Sequence, residues 1–183
     1  GARTLVEHGR PKGRYAIIGE PTGLKPIRMH KGIMMETLRI TGNAGHSSNP
    51  SLGINAIDAM HDVMTELKAY RAQLAEENRN QDFEIEVPTL NFGCLHGGDN
   101  PNRICGSCEL AFDLRALPGM SNDQLRHEMS ERIKPIASRH NVEFELEALF
   151  PGVPSFATDK NAELVKLAEK LTHHQAHAVA FAT

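Results

Sequence analysis

A histidine in a glycine-flanked loop is the residue whose setting most directly suggests chemistry. His46 lies in the string AGHSS at positions 44–48. Glycine permits unusual backbone angles, so the loop can hold the imidazole away from the rest of the chain. There the ring can donate a hydrogen bond to a developing oxyanion or carry a proton. The alternative is a surface histidine in a loop before a helix, where Ser47 or Ser48 is only the helix cap.

A carboxylate near the N-terminus occupies a position that suits a metal ligand. Glu20 follows residues 14–19, RYAIIG, which we predict to be a short buried strand, and it precedes the rigid Pro21. A carboxylate at the end of a buried strand can bind a divalent metal ion. A solvated acid in a loop is the alternative, and the local sequence leaves both open.

Two arginines and an asparagine form a third candidate group, suited to a carboxylate ligand. Asn102 and Arg103 are adjacent, and Arg115 follows twelve residues after Arg103. A guanidinium binds a carboxylate through two parallel hydrogen bonds, and an asparagine amide can hold a carbonyl or an amide. The alternative is that either arginine pairs with Asp113 or Glu109 on a sheet surface.

The three cysteines imitate a zinc site without making a convincing one. Cys94-x-His96 and Cys105-x2-Cys108 supply a Cys3His ligand set. However, Cys94 and Cys108 fall at strand positions with apolar partners. We therefore expect these two to be buried free thiols.

Hydrophobic periodicity predicts the elements that must position these residues. The predicted strands are 32–41, 89–96, 107–115 and 141–148, and the predicted helices are 53–76, one capped by Ser121, and 160–172. Residues 32–41 alternate in a way that indicates partial burial on both faces. The order β-α-β-β-α-β between 32 and 148 is the ferredoxin-like order. The predicted fold class is therefore α+β, with a four-stranded antiparallel sheet, two helices on one of its faces, and short α/β pieces at either end.

Composition excludes several classes of protein. The 183 residues are 40% hydrophobic and carry a net charge of −3, and only 5% are aromatic. A nucleic-acid-binding protein is normally more basic, and a single-strand binder has more aromatic residues. No run approaches the roughly 20 apolar residues that span a membrane. With only three cysteines, we expect a reduced, cytoplasmic protein that has neither nucleic acid nor membrane as a partner.

Four strings taken together resemble the M20 family of dinuclear-metal amidohydrolases. They are IIGEPTG, HKG, AGHSSNPSLGINAI and GGDNPNRICGSCELAFDLRALPGM, and the resemblance extends over essentially the whole chain. In that family a ferredoxin-like lid is inserted into an α/β catalytic domain and forms a homodimer. The resemblance implies a dimerisation lid at residues 30–149. Residues 1–29 and 150–183 are then parts of the catalytic domain.

The resemblance also implies roles for individual residues. Glu20, in GEPT, matches a carboxylate that binds one metal ion. His46 matches the lid histidine that stabilises the tetrahedral oxyanion, usually in the active site of the partner subunit. Asn102, Arg103 and Arg115 match lid residues that hold the polar groups and the α-carboxylate of the substrate.

The chain departs from the family pattern at the metal centre. It contains no His-x-Asp sequence, and its only Glu-Glu pair, 76–77, lies downstream of GEPT. The resemblance implies two divalent metal ions, zinc or cobalt, in the parent enzyme. We expect none to be bound by these 183 residues alone, which should therefore be inactive.

Within the family, the strings are nearest to members that convert N-acetyl-L-ornithine to ornithine in arginine biosynthesis. The alternatives in the family are an enzyme like succinyl-diaminopimelate desuccinylase and another peptidase or aminoacylase. An alternative of a different class is a non-catalytic module for dimerisation or small-molecule regulation, since fold alone does not determine function.

Overall fold

The computed structural model describes residues 2–10 and 12–181. These residues form both helices and strands. In chain order the elements are α1 (Ala2–Glu7), β1 (Ile27–His30), β2 (Met34–Thr41), β3 (Gly45–His46), a 3₁₀ helix (Pro50–Leu52), α2 (Ala56–Glu77), β4 (Thr89–Gly97), β5 (Arg103–Ile104), β6 (Ser107–Arg115), α3 (Asn122–His140), β7 (Glu143–Ala148), β8 (Phe156–Ala157), α4 (Glu163–Thr172) and β9 (His177–Val179).

The main sheet has the strand order β4-β6-β2-β7, and every neighbouring pair in it is antiparallel. Leu38 of β2 lies opposite Leu110 of β6 on one side and Leu146 of β7 on the other. Helices α2 and α3 pack against each other and against the same face of this sheet. The predicted ferredoxin-like α+β fold is confirmed.

Strand β6 shows why the sheet has one buried face. Cys108, Leu110, Phe112 and Leu114 are buried, and the residues between them are partly exposed. Side chains of a strand point to opposite faces in turn, so this alternation turns every second residue toward the helices. The predicted burial of Cys108 is confirmed.

The two helices bury the stripes that their sequences predict. Helix α2 begins after Asn55, whose side-chain oxygen accepts a hydrogen bond of 3.0 Å from the Ile57 backbone N–H. Helix α3 begins after Ser121, whose hydroxyl accepts from the Gln124 N–H at 3.4 Å. Each cap satisfies a backbone donor that has no partner within its helix. Ile57 shares the apolar spacing of the buried residues of α2 but is 44% exposed.

Strand β2 contradicts the prediction of partial burial on both faces. Met34, Glu36, Leu38 and Ile40 are fully buried, whereas Met35 and the residues that alternate with it are exposed or half-buried. An acidic residue in the middle of a buried stripe made the pattern look two-sided.

The buried Glu36 is accommodated by an arginine from α3. Its carboxylate accepts hydrogen bonds from Arg126 Nε at 2.9 Å and Nη2 at 2.8 Å. A bidentate pair of this kind supplies the partners that a buried charge requires. The contact also ties α3 to the centre of the sheet.

The prediction that Cys94 is a buried thiol is wrong. The register of β4 against β6 shifts between Phe92 and Cys94, so a bulge turns the strand over at Gly93. Cys94 is exposed as a result, while Cys105 and Cys108 are buried free thiols. Burial raises the pKa of the Cys108 thiol, which keeps it in the form that does not bind metals.

The strand predicted at residues 14–19 is also not formed. These residues are exposed, and Ile17 and Ile18 are 76% and 73% accessible. A strand needs a neighbour for its backbone hydrogen bonds. None of the strands in the described residues pairs with this segment.

A second, three-stranded sheet is built from both ends of the chain. Strand β1 lies between β8, which is antiparallel to it, and β9, which is parallel to it. Its central position was not predicted, because four residues are too few to show a period.

No helix within residues 2–10 and 12–181 is both long and apolar enough to cross a membrane.

Two buried cationic side chains, Arg28 and Lys31, connect the region of β1 to the loop before β4. Arg28 forms an ion pair with Asp82 at 2.6 Å. Lys31 donates a hydrogen bond of 2.6 Å from Nζ to the Val87 carbonyl and lies over the Phe83 ring. Burial lowers the pKa of Lys31. These contacts tie Arg28 and Lys31 to the loop before β4.

Candidate functional site

Two very short strands bring His46, Asn102 and Arg103 together. Strands β3 and β5 pair so that Gly45 lies opposite Ile104 and His46 lies opposite Arg103. The Ser47 N–H donates a hydrogen bond of 3.0 Å to the Asn102 carbonyl. His46 and Arg103, which are 57 positions apart in the sequence, therefore lie on one ridge, beyond the Ser107 end of the main sheet.

The loop that carries His46 folds back on itself, and it needs glycine where its backbone segments come closest together. A Cβ atom on Gly45 would lie 2.8 Å from the Leu52 carbonyl oxygen. A Cβ atom on Gly53 would lie 2.4 Å from the Asn43 carbonyl oxygen. Both distances are shorter than real contacts, so glycine is required for this close approach of backbone to backbone.

The His46 ring is exposed and is held from one side. Its Nδ1 atom lies 2.8 Å from the Ser48 hydroxyl and accepts a hydrogen bond from the Ser48 backbone N–H at 3.3 Å. No hydrogen bond joins Nε2 to any of the residues that the structure describes. The alternative role of Ser48 as a helix cap is not observed, because Asn49 and Asn55 cap the two following helices.

Arg103 is held by an acidic residue that the sequence reasoning did not single out. Its Nη1 atom lies 2.7 Å from Asp99 Oδ2, and both side chains are more than half exposed. The predicted alternatives for this arginine were Asp113 and Glu109, and neither is its partner. The sequence did contain an indication of this ion pair, since Asp99 precedes Arg103 by four residues across a turn. The pair keeps a cation and an anion beside His46.

Arg115 lies at the opposite end of the main sheet. Its Nε atom donates to Asp113 Oδ1 at 2.8 Å, which is the pairing that the alternative interpretation predicted. The second carboxylate oxygen of Asp113 is buried and has no hydrogen-bond partner among the described residues. Arg115 ends the strand that Ser107 begins, so about 26 Å of strand separates it from the His46 end. One chain therefore does not bring Arg115 to His46.

Glu20 lies in an exposed turn, where its carbonyl oxygen accepts a hydrogen bond of 2.7 Å from the Thr22 N–H. Within residues 2–10 and 12–181 there is no cluster of three or more His, Cys, Asp or Glu side chains able to hold a metal ion. The zinc arrangement imitated by Cys94, His96, Cys105 and Cys108 is thus not formed. A metal bound by Glu20 would need its other ligands from outside the described residues.

An apolar groove at one edge of the sheet is a second surface feature, and it was not predicted. It encloses about 360 Å³ between α2 and the edge strand β4. Seven residues line it, namely Ile57, Met60, His61, Met64, Leu95, Gly97 and Cys108. Ile57 is 44% exposed and Leu95 is 52% exposed. The bulge at Gly93 turns Leu95 toward this groove, so a strict period of two could not have revealed it.

Comparison with known proteins gives a consistent family assignment. The family model for the peptidase dimerisation domain of M20 enzymes matches residues 28–141. Acetylornithine deacetylase from Pasteurella multocida is 43% identical over 183 residues, covering 100% of this chain and 48% of that protein. Acetylornithine deacetylase from Vibrio cholerae is 42% identical over the same 183 residues and is likewise 48% covered. The chain thus spans about half the length of the curated relatives it matches.

Solved structures agree at the level of the fold. A tripeptidase from Staphylococcus aureus superposes with a TM-score of 0.59 at 19% identity, covering 86% of this chain and 40% of that one. Aminopeptidase PepT from Bacillus cereus superposes with a TM-score of 0.60 at 17% identity, covering 87% and 40%. The chain therefore belongs to the M20 family, is similar to its acetylornithine deacetylases, and contains the family's dimerisation domain.

Proposed function

We propose that this chain is the dimerisation lid, with adjoining parts of the catalytic domain, of an amidohydrolase that converts N-acetyl-L-ornithine to ornithine. The observation that carries the proposal is the match of all 183 residues, at 43% identity, to a protein named acetylornithine deacetylase. This activity belongs to arginine biosynthesis, and we propose a cytoplasmic location. The proposed boundaries are residues 1–29 and 150–183 for the catalytic domain and 30–149 for the lid.

The exposure of His46 favours a catalytic lid over a non-catalytic module. A histidine packed against its own helices would have favoured a module used only for dimerisation or regulation. Instead, His46 is exposed beside Asn102 and the Asp99–Arg103 pair. Hydrogen-bond donors gathered on a rigid ridge are what stabilisation of a developing oxyanion requires. We propose that His46 stabilises the oxyanion and that Asn102 and Arg103 hold polar groups of the substrate.

We propose that two lids form a homodimer through the β4 edge and the groove beside it. An edge strand has unpaired backbone groups on its outer side, and a second strand can pair with them. Exposed Ile57 and Leu95 lie next to that edge, and apolar residues of this kind are typical of obligate interfaces. A two-fold axis perpendicular to the sheet would pair β4 with its copy in an antiparallel direction.

That arrangement has a consequence for Arg115. Thr89, the first residue of β4, lies opposite Arg115, and Gly97, the last, lies opposite Cys108 near the His46 ridge. Antiparallel pairing of two β4 strands sets the Gly97 end of one chain beside the Thr89 end of the other. His46 of one chain then approaches Arg115 of its partner. We propose that each active site takes His46 from one lid and Arg115 from the other, where Arg115 holds the α-carboxylate of the substrate.

We propose that the parent enzyme binds two divalent metal ions, zinc or cobalt, and that Glu20 is one ligand. A metal pair lowers the pKa of a bound water, which supplies the nucleophile for amide hydrolysis. The described residues do not complete such a site. The remaining ligands and the general base are proposed to come from the rest of the catalytic domain. The exposed Ile17 and Ile18, next to Glu20, are apolar surface that this domain would cover.

The direct test is hydrolysis by the full-length parent, measured with and without added zinc or cobalt. N-acetyl-L-ornithine, N-succinyl-diaminopimelate and an acetylated dipeptide serve as the three substrates. We expect metal-dependent release of ornithine, with the highest kcat/KM for N-acetyl-L-ornithine.

The purified 183-residue chain is the matched control and should give no turnover with any of the three. Turnover by this chain would contradict the proposed location of the metal ligands. A preference of the parent for the succinylated substrate would replace the proposed specificity with that of a desuccinylase.

A further inference from the structure

The contact between His46 and Ser48 assigns a hydrogen to one particular ring nitrogen. The Ser48 backbone N–H, 3.3 Å from Nδ1, can only donate, so Nδ1 must accept. The Ser48 hydroxyl, 2.8 Å from the same atom, can rotate to donate as well. An imidazole whose Nδ1 accepts carries its hydrogen on Nε2 when it is neutral. Both contacts come from one residue, which is two positions further along the chain.

We propose that Ser48 is a positioning residue that holds His46 in the tautomer with hydrogen on Nε2 and fixes the direction of that N–H. The other ring nitrogen, Nε2, makes no hydrogen bond within the described residues. Nε2–H is therefore available to donate outward from the ridge. The catalytic value of this donor rests on the proposed function, whereas the tautomer itself does not.

The contacts of the neighbouring residues favour this role over one in which Ser48 only caps the following helix. The loop after His46 has its own stabilising contacts, since Asn49 Oδ1 accepts hydrogen bonds from the Ser51 N–H at 3.2 Å and from the Ser51 hydroxyl at 2.7 Å. Asn49 also caps the 3₁₀ helix that follows. The Ser48 hydroxyl is thus not needed to start a helix. Among the described residues, the only hydrogen-bond partner of this hydroxyl is the His46 ring.

The backbone on the other side of the ring is equally fixed. His46 pairs with Arg103 across the two short strands, and the neighbouring Ser47 N–H is bonded to Asn102. With the main chain held, two properties of the ring can still vary, namely its rotation about the side-chain bonds and its tautomer. The two Ser48 contacts restrict both. A donor whose direction is set before the reaction needs no reorganisation during it.

The first test is the tautomer of His46, read from the Nδ1 and Nε2 resonances of the histidine-labelled 183-residue chain by 15N NMR. Spectra are recorded at a pH where the ring signals are those of the neutral form. We expect the wild-type chain and Ser48→Thr, which keeps the hydroxyl, to show hydrogen on Nε2 alone. Ser48→Ala keeps only the longer backbone contact of 3.3 Å and should therefore show a measurable population with hydrogen on Nδ1. Ser47→Ala is the matched control and should leave the spectrum unchanged.

The second test is steady-state kinetics of the same variants in the full-length parent. Loss of one hydrogen bond to the ring should lower kcat about 3- to 10-fold in Ser48→Ala, with KM nearly unchanged. Ser48→Thr should stay within about 2-fold of wild type, since the contact is retained.

A wild-type spectrum with hydrogen on Nδ1 would overturn the inference. A Ser48→Ala spectrum that does not differ from the wild-type spectrum would overturn it as well. Such a result would leave the proposed function untouched. An inactive parent with the expected tautomer shifts would instead refute the function and support the assignment of Ser48.

Discussion

Replacement of His46 by alanine in the full-length parent is expected to lower kcat about 10²- to 10³-fold, which is the usual effect of removing one oxyanion donor. Among the described residues, the exposed ring forms hydrogen bonds only within its own loop, so its removal should leave the fold and the proposed dimer intact. Because the donor acts on charge that develops during the reaction, KM should change far less than kcat. Initial rates over a range of N-acetyl-L-ornithine concentrations provide both constants.

A matched variant separates the loss of the donor from damage to the loop. Ser51→Ala removes a hydroxyl from the same loop, where it contacts Asn49 and not His46. It should keep kcat within a few-fold of wild type. Sedimentation velocity checks that each variant remains a dimer. If His46→Ala retained more than a tenth of the wild-type kcat, His46 would not be the oxyanion donor.

Removal of Arg126 is expected to have the largest effect on stability. Arg126→Met leaves the Glu36 carboxylate, whose side chain is 1% exposed, without its bidentate partner. A buried charge that loses its partner destabilises a protein by about 3–5 kcal/mol, and we expect about 3 because the Arg126 side chain is 26% exposed. Urea unfolding of the 183-residue chain, followed by circular dichroism, measures the free energy of unfolding.

Two further variants identify the cause of that loss. Lys134→Met removes a cation from the same helix that pairs with the partly exposed Glu131, and should cost less than about 1 kcal/mol. The double variant Glu36→Leu/Arg126→Met replaces the whole pair by apolar side chains and should recover most of the lost stability. A double variant as unstable as Arg126→Met would show that Arg126 contributes by packing rather than by pairing with Glu36.

The arrangement of the main sheet could be predicted because strand β6 and both helices are long and strongly periodic. Cys108, Leu110, Phe112 and Leu114 alternate in the sequence and are buried in the structure. The prediction failed where a tertiary feature decides the outcome. The bulge at Gly93 reverses the faces of β4 beyond it, so Cys94 is exposed. Residues 14–19 have the composition of a strand but lack a pairing partner among the described residues.

The candidate site was less predictable than the fold. Strands β3 and β5 have two residues each, which is too short for any period, so spacing alone could not bring His46 and Arg103 together. The resemblance to a family pointed to both residues, and the structure places them opposite each other in the β3–β5 pair. The Asp99–Arg103 ion pair and the Ser48 contact depend on turns whose geometry a sequence does not specify.

The most direct test of a site shared between two lids is complementation of the parent dimer by two inactive variants. His46→Ala and Arg115→Ala subunits, carrying different affinity tags, are expressed together, and the mixed dimers are isolated by successive purification on both tags. If each site takes His46 from one chain and Arg115 from the other, one site of the mixed dimer lacks both residues and the other is intact. Such dimers should then show about half of the wild-type kcat per dimer, whereas each variant alone keeps only a small fraction of it. Mixed dimers no more active than the separate variants would mean that both residues serve the same chain's site, and would contradict the shared site.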